Sequence, residues 1–396
     1  MYFYLYAFAP LFLTPLILIK VRKDLLFFSF FSVFYIQYYF APVFLINEPG
    51  YIASNEYFEI AFFYWLTLVL GYFTMSFFVP DYKLNLSKRK SDFYFVFYLS
   101  FSIGVILKLL TSSFLHVSIS GSYNFEYWYL FGLADKIFYL GMSALIALAY
   151  LYPSKKILFF FFIILSLFAL TGSRSMTVLP MIMLFLLKCR DLSLLKSIRA
   201  YISLIFLIAL IIIAVGLYRI DEVGRDIPFY QYFYVLIFRF SDFAWSSKLI
   251  EVYQGPFQLK ILLNDFMGIF PSFISKSFLG YSIFEFDTQK MFELGIGKTT
   301  MSVPMGLIGQ AYLASGVWAA VISGIIMSVI FMFIKIIIYK LPPFYRILVL
   351  LQLFRYSLVL PVGTLADALS MGSKDLLLSI LLIMFFVFLR RIFTIT

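Results

Sequence analysis

Charged residues are scarce in this sequence: they make up 13% of its 396 residues, whereas 63% are hydrophobic and 22% aromatic. A soluble globular domain carries about 25% charged residues, so the scarcity excludes that class. Apolar runs of about 14 to 25 residues recur between short polar connections, and the short alternating segments of a β-barrel do not occur. Only helices satisfy their own backbone in lipid under these conditions. We therefore expect an all-α polytopic membrane protein.

Cysteine and histidine are nearly absent, since Cys189 and His116 are the only ones. One cysteine excludes an internal disulfide framework, and one histidine without clustered acids excludes the usual metal centres. The stretch "GIGKTT" at 295–300 lacks the glycine spacing of a nucleotide-binding phosphate loop. We therefore expect no metal and no cofactor.

Basic residues, which give the chain a formal charge of +11, gather in a few short connections. By the positive-inside rule these connections are cytoplasmic, so the surplus charge orients the helices and does not indicate a nucleic-acid partner. The clusters are Lys20/Arg22/Lys23, Lys83/Lys88/Arg89/Lys90, Lys155/Lys156, Lys188/Arg190/Lys196/Arg199, Lys335/Lys340/Arg346 and Arg390/Arg391.

About eleven spans fit between these clusters, with the N-terminus outside and the C-terminus inside. They predict an N-terminal bundle (1–218), a large outer loop (219–302) and a C-terminal bundle (303–396). The aromatic loop should form one or two interfacial amphipathic helices, with breaks at Gly255-Pro256, Pro271 and Gly280. The predicted spans are about 2–19, 25–45, 57–80, 92–112, 135–152, 157–170, 176–187, 200–218, 303–334, 347–361 and 375–389.

Arg174, in "LTGSRSM" at 170–176, lies between two strongly apolar runs. Each arm of the predicted hairpin has only about 12 to 14 apolar residues, or about 20 Å, against a hydrocarbon core of about 30 Å. The tip therefore falls below the outer surface, where a guanidinium needs a wet recess and an anionic partner. With Ser173 and a helix N-terminus beside it, Arg174 is suited to binding phosphate oxygens, and snorkelling to the headgroups is the alternative.

Other charges fall at comparable depths. Arg355, in "LQLFRYSLVLP", lies in the middle of a predicted span, and Lys298 lies at the outer start of another. The entry of the large loop, "LYRIDEVGRD", places cations and carboxylates together, although ion pairing along a helix also explains this cluster. The candidates there are the cations Arg219, Arg225 and Arg239 and the acids Asp221, Glu222, Asp226 and Asp242.

Three features together resemble the Wzy family of O-antigen polymerases, which join oligosaccharide repeat units. They are a span that ends in "LTGSRS", a long outer loop with arginines at its start, and the late segment "GLIGQAYLASGVWAAVISG". The family often has a Gly-Glu pair where this chain has Gly309-Gln310. The layout also resembles O-antigen ligases and RodA-like glycosyltransferases.

The resemblance implies a membrane glycosyltransferase of lipopolysaccharide biosynthesis in the bacterial inner membrane, with its active site facing the periplasm. The growing O-polysaccharide would pass from undecaprenyl diphosphate to a new repeat unit on the same lipid carrier. Its partners would be that donor and acceptor, membrane lipids and a chain-length regulator of the polysaccharide co-polymerase type. Arg174, Arg219, Arg225 and Arg239 would bind the diphosphate, while Ser173, Lys298, Gln310 and Arg355 complete the binding set and the four loop acids are the catalytic candidates.

Two other functions remain open at this point. A flippase or transporter for lipid-linked oligosaccharides would be expected to have short loops and charges spread over many spans. An O-antigen ligase would use a histidine in the late outer loop, and residues 219–302 contain none. The long loop counts against the flippase, and the missing histidine counts against the ligase.

Overall fold

The described part of the chain is built of helices. The computed structural model describes residues 2–42, 55–82, 84, 90–115, 128–170, 174–190, 192–193, 196, 199, 202, 243–253, 255–258, 260–270, 272–280 and 306–395. No strand occurs among these residues, which confirms the all-α prediction for this part. The helices are α1 Tyr2–Val21, α2 Leu25–Tyr35, α3 Asn55–Ser76, α4 Lys90–Leu115, α5 Trp128–Leu151, α6 Lys155–Leu170, α7 Arg174–Arg190, α8 Phe243–Val252, α9 Lys260–Phe266, α10 Ser272–Leu279, α11 Gly306–Ser315, α12 Val317–Lys340, α13 Pro343–Val359, α14 Leu365–Ser370 and α15 Leu376–Ile395.

Three helical stretches in the described residues are long and apolar enough to cross a membrane: Asn55–Ser76, Lys90–Leu107 and Val317–Lys340. Shorter apolar helices cover Leu5–Val21, Leu25–Phe40 and Lys136–Leu151. On α12, large apolar side chains are exposed at helical spacing, at Ile322, Ile325, Val329, Phe333 and Ile336. Such a stripe on a helix whose other face is packed is suited to contact with lipid. The chain is therefore a membrane protein by these criteria, and the full set of eleven spans stays a prediction.

One predicted span is wrong as a single helix. The sequence favoured an unbroken span over 303–334, but the structure divides it into α11 and α12 at Gly316. Gly316 has φ +61°, a left-handed conformation that only glycine adopts readily. The apolar pattern continues through this position, so hydropathy alone could not reveal the break. Of the predicted span 200–218, the structure describes only Ile202.

The chain divides into two compact units. Unit 1 comprises Met1–Tyr82, Pro228–Tyr339 and Tyr356–Leu376, and unit 2 comprises Lys83–Ile227, Lys340–Arg355 and Leu377–Thr396. In unit 1, α3 packs against α1 and α11, and α11 also packs against α8 and α9. The aromatic core of this unit includes Phe27, Phe31, Phe34, Tyr64 and Phe331, all fully buried or nearly so.

Unit 2 is centred on α4 and α5, the most extensive helix pair in the described chain. The two helices come very close at a pair of glycines. A Cβ on Gly104 would lie 2.7 Å from Cα of Phe138, and one on Gly141 would lie 2.9 Å from the backbone nitrogen of Phe101. Small residues that let helix backbones approach are typical of helix pairs in membranes.

One end of unit 2 joins the start of α4 to the end of α15. The Arg390 guanidinium pairs with the Asp92 carboxylate and donates a 2.8 Å hydrogen bond to Ser91 Oγ. Nearby, the ring of Phe93 lies 4.6 Å from that of Phe344, at the start of α13.

Helices α6 and α7 pack together as the two arms of the predicted hairpin. They have 16 and 17 residues, a little more than the apolar counts suggested. At 1.5 Å per residue the arms are about 24 and 26 Å long, still shorter than the hydrocarbon core of about 30 Å. Arg174 is the first residue of α7. That the tip lies below the outer surface stays a prediction.

The loop between 219 and 302 contains three helices in its described part, α8, α9 and α10, where one or two were predicted. The breaks fall where the sequence placed them. Gly255 and Pro256 lie between α8 and α9, Pro271 precedes α10, and Gly280 follows it with φ +77°. Helix α9 packs against both α11 and α14, so part of the loop is held on the other helices of unit 1.

Candidate functional site

Gln310 lies at the centre of a buried polar junction in unit 1. Its side chain is 2% exposed, and it points from α11 toward the loop helix α9. The Gln310 amide nitrogen donates a hydrogen bond to the Asp265 carboxylate, and its amide oxygen accepts one of 2.9 Å from the backbone N–H of Leu365. Asp265 is likewise 2% exposed. This Gln310 junction therefore ties α9, α11 and the start of α14 together.

Tyr38 makes a second bridge to the same helices. It lies in a π-helical turn, Ile36–Phe40, that continues α2. Its hydroxyl donates a 2.5 Å hydrogen bond to the Pro361 carbonyl and accepts one of 3.0 Å from the Leu307 backbone N–H, near the start of α11. A hydroxyl that satisfies one of the free N–H groups of a helix start stabilises that start. Tyr38 and Gln310 together fix α11 against the segment 360–365.

Close backbone packing reinforces the Gln310 junction. A Cβ on Gly268, which follows α9, would lie 2.7 Å from the Ala366 carbonyl oxygen. A Cβ on Gly309 would lie 3.0 Å from Leu249 of α8. Only a residue without a side chain lets these segments approach so closely. The loop helices are thus positioned by both hydrogen bonds and contacts, which is the rigidity that a substrate-binding site requires.

Arg355 occupies a different environment, within unit 2. Its guanidinium lies 4.3 Å from the centroid of the Tyr139 ring, so α13 and α5 meet through a cation–π contact. One turn earlier, the Gln352 amide nitrogen lies 3.5 Å from Ser143 Oγ. No carboxylate or carbonyl among the described residues accepts a hydrogen bond from Arg355. A half-buried guanidinium with only a ring beside it keeps its fork of N–H donors available for an anion.

A fully buried cation, Lys335, lies near the end of α12 in unit 1. It is 3% exposed, and its ammonium is 3.0 Å from the Asp81 carboxylate and 3.9 Å from that of Asp24. Asp24 also accepts hydrogen bonds from the Tyr72 hydroxyl at 2.8 Å and from the Phe27 backbone N–H at 3.4 Å. Burial raises the pKa of Asp24, although Lys335 and these two donors lower it. Lys335 is therefore a cation that the protein itself neutralises.

Most of the sequence-predicted site residues fall where the structure gives no description. The backbone of Arg174 is described and its side chain is not, whereas Gln310 and Arg355 are described in full. Gln310 has partners within the protein for both ends of its amide, so its observed role is positional. The others lie outside the described residues: Ser173, Arg219, Asp221, Glu222, Arg225, Asp226, Arg239, Asp242 and Lys298.

Sequence reasoning missed Asp265 and Tyr38. A lone acid in the apolar stretch "ILLNDFMGIF" was a usable signal for Asp265, because an unpaired carboxylate is costly among apolar residues. Tyr38 offered no such signal, since it is one of 30 tyrosines. Within the described chain, no group of three or more His, Cys, Asp or Glu side chains is arranged to hold a metal ion.

Comparison of the chain with protein-family models, with curated proteins and with solved structures found no significant match. The function is therefore inferred from the residues and the contacts described above.

Proposed function

We propose that the protein is a glycan polymerase that uses a lipid diphosphate donor at the membrane face where the large loop lies. The observation that carries this proposal is Arg355, a half-buried guanidinium that lies against an aromatic ring and has no carboxylate partner among the described residues. A cation placed among apolar helices calls for an anionic partner. A diphosphate on a polyprenol provides such an anion at the required depth.

The proposed reaction forms one glycosidic bond and breaks one. The oxygen of an acceptor sugar hydroxyl attacks the anomeric carbon at the reducing end of the donor glycan. The bond from that carbon to the diphosphate oxygen breaks, and undecaprenyl diphosphate leaves with the electron pair. The hydroxyl proton passes to a base, for which Asp221, Glu222, Asp226 and Asp242 stay the candidates.

Arginines are suited to this reaction because charge develops on the leaving diphosphate. Fixed cations in a poorly hydrated site stabilise such charge far better than they would in water. We assign this role to Arg355. Arg174, Arg219, Arg225 and Arg239, with Lys298 and Ser173, stay candidates from the sequence for ligands of the phosphate oxygens. A planar guanidinium also holds two phosphate oxygens at once, which a lysine cannot do.

The Gln310 junction has a supporting role in this proposal. The junction fixes α9 and α14 on α11 and so gives the aromatic loop a rigid support. Sugar rings can then stack on the aromatic side chains of the loop. Gln310 and Asp265 act here as positioning residues, and neither is assigned to proton transfer.

The first test is a strain lacking the gene, scored by lipopolysaccharide gel. Loss of the long-chain ladder with a single repeat unit retained supports polymerisation. Loss of every repeat unit would favour the flippase alternative, and polymer that accumulates without being joined to the lipid A core would favour the ligase alternative. Either of these results would overturn the proposal.

The second test complements that strain with point variants. Arg355→Gln should reduce long-chain product at least about tenfold, since removing a charged hydrogen-bond partner costs about 1.5 to 3 kcal/mol. Arg346→Gln is the matched control, because Arg346 lies on the same helix and donates a hydrogen bond of 2.9 Å to the Leu341 carbonyl within the chain. Equal ladders from the two variants would contradict a role for Arg355.

A further inference from the structure

A cleft of about 260 Å³ opens in unit 1 beside Lys335, where α1, α3 and α12 end. This is the opposite end of α12 from the Gln310 junction, and the basic clusters predict that it faces the cytoplasm. Its lining combines cations, acids and aromatic side chains, which no part of the proposed polymerase chemistry uses. The charged lining residues are Lys20, Lys23, Asp24, Asp81 and Lys335.

The charges in the cleft do not balance. Lys335 is shared by Asp24 and Asp81, so these three residues form one internal group. Lys20 and Lys23 are both exposed, and neither pairs with a carboxylate among the described residues. The Lys20 ammonium instead lies 4.9 Å from the centroid of the Phe73 ring, which holds it at the wall of the cleft. Two cations thus remain available to an anion.

Aromatic side chains show where the cleft lies relative to lipid. Phe77 lines it and is 87% exposed, and the adjacent Phe78 is 82% exposed. Both lie in the turn that directly follows Ser76, the last residue of α3. Exposed aromatic rings next to lysines are typical of the membrane interface, where rings contact acyl chains and ammonium groups contact phosphates.

We infer that this cleft binds the phosphate of an anionic phospholipid headgroup through Lys20 and Lys23, with Phe77 and Phe78 against the acyl chains. Basic pockets between helices at the cytoplasmic side are known to take such headgroups. The volume suits a small headgroup, because pockets for larger organic ligands measure about 300 to 1,000 Å³. Asp81, which is 55% exposed at the rim and paired with Lys335, limits the site to one phosphate.

The test measures lipid binding to the purified full-length protein by native mass spectrometry, with phosphatidylglycerol as the probe. The wild-type chain should retain one phosphatidylglycerol, and the double variant Lys20→Gln with Lys23→Gln should bind it about thirtyfold more weakly. The matched control is Lys155→Gln with Lys156→Gln, two exposed lysines that the sequence places on the same face. This control should bind phosphatidylglycerol as the wild type does.

Several outcomes would overturn the inference. If the wild type and the Lys20/Lys23 variant bind the lipid equally, these two lysines do not hold its phosphate. If the Lys155/Lys156 control loses as much binding as the Lys20/Lys23 variant, the effect is one of general surface charge. Displacement of the lipid by inorganic phosphate or glycerol 3-phosphate at low millimolar concentration shows a site for soluble phosphate. The variant Lys20→Arg with Lys23→Arg keeps both charges and should retain binding. If the double glutamine variant at Lys20 and Lys23 is not monodisperse, the single variant Lys23→Gln replaces it in the binding measurement. Because the readout is lipid binding, it is independent of the polymerase proposal.

Discussion

Lys335 in unit 1 and Arg355 in unit 2 are two buried or half-buried cations with opposite surroundings. Lys335 has two carboxylates within 4 Å, whereas Arg355 has a tyrosine ring and no carboxylate among the described residues. Transferring a charge from water costs several kcal/mol, and the protein offsets that cost at Lys335. At Arg355 no carboxylate among the described residues offsets that cost. Lys335 therefore stabilises the fold, whereas Arg355 keeps hydrogen-bond donors available to a ligand.

The largest effect that the comparison predicts is on stability at Lys335. Lys335→Met keeps the length of the side chain but leaves buried Asp24 without its cation, so the free energy of unfolding should fall by about 3 kcal/mol. Arg355→Met removes only a cation–π contact and should lower it by about 0.5 to 2 kcal/mol. Chemical denaturation in detergent measures both. Adding Asp24→Asn to Lys335→Met should recover most of the loss. Similar losses of stability in Lys335→Met and Arg355→Met would contradict the difference between the two cations.

A third buried site sharpens the contrast, because the acid Asp265 has a neutral amide as its partner. Gln310→Glu would place a second carboxylate against Asp265, where two like charges cannot both ionise at low cost. We expect a loss of about 2 kcal/mol of stability near neutral pH.

The double variant of Gln310→Glu with Asp265→Asn is the control for this prediction. Its asparagine amide can donate to the new carboxylate, so stability should return. A Gln310→Glu variant as stable as the wild type would show that the Gln310 junction is not needed to hold the loop helices.

A smaller effect tests the contact that holds Arg355. Tyr139→Leu removes the ring and should cost about 1 kcal/mol, whereas Tyr139→Phe retains the ring and should cost less. A double-mutant cycle with Arg355→Gln, followed by chemical denaturation, isolates the coupling between the two side chains. Zero coupling would mean that the ring does not position the guanidinium.

The smallest effect concerns the pH dependence of Asp24. Because burial raises its pKa above the ordinary value, ionising Asp24 costs more in the folded chain than in the unfolded one. Its contribution to stability is therefore fully present below the unfolded pKa of about 3.9 and is lost as pH rises through the folded pKa. Measured by unfolding between pH 4 and 8, the stability of the wild type relative to Asp24→Asn should decline with rising pH. A constant difference would contradict this sign.

Local sequence patterns predicted the all-helical architecture and the breaks in the large loop, but not every junction between helices. The loop breaks at Gly255-Pro256 and Pro271 were predictable because these residues act on their own backbone. The break at Gly316 was not, since glycine also occurs inside apolar helices. Lys335 was read as one of the residues that orient the helices. Its pairing with Asp24 joins positions 311 residues apart in sequence, a contact that no local pattern shows.

Sequence patterns likewise predicted some residues of the candidate site but not their contacts. The position of Arg355 within an apolar run marks it from the sequence alone, because charge at that depth is costly. Gln310 was marked only by its place in a motif, and its two hydrogen-bond partners became visible only in the fold. Helix packing, which depends on all side chains at once, decides such contacts.

The most direct test of the central claim is the affinity of the purified chain for undecaprenyl diphosphate in nanodiscs. We expect the wild type to bind this lipid and Arg355→Gln to bind it at least about tenfold more weakly, while folded Arg346→Gln and Lys335→Met match the wild type. Equal affinity of the wild type and Arg355→Gln would contradict the account, because the guanidinium would then have no anionic ligand to bind.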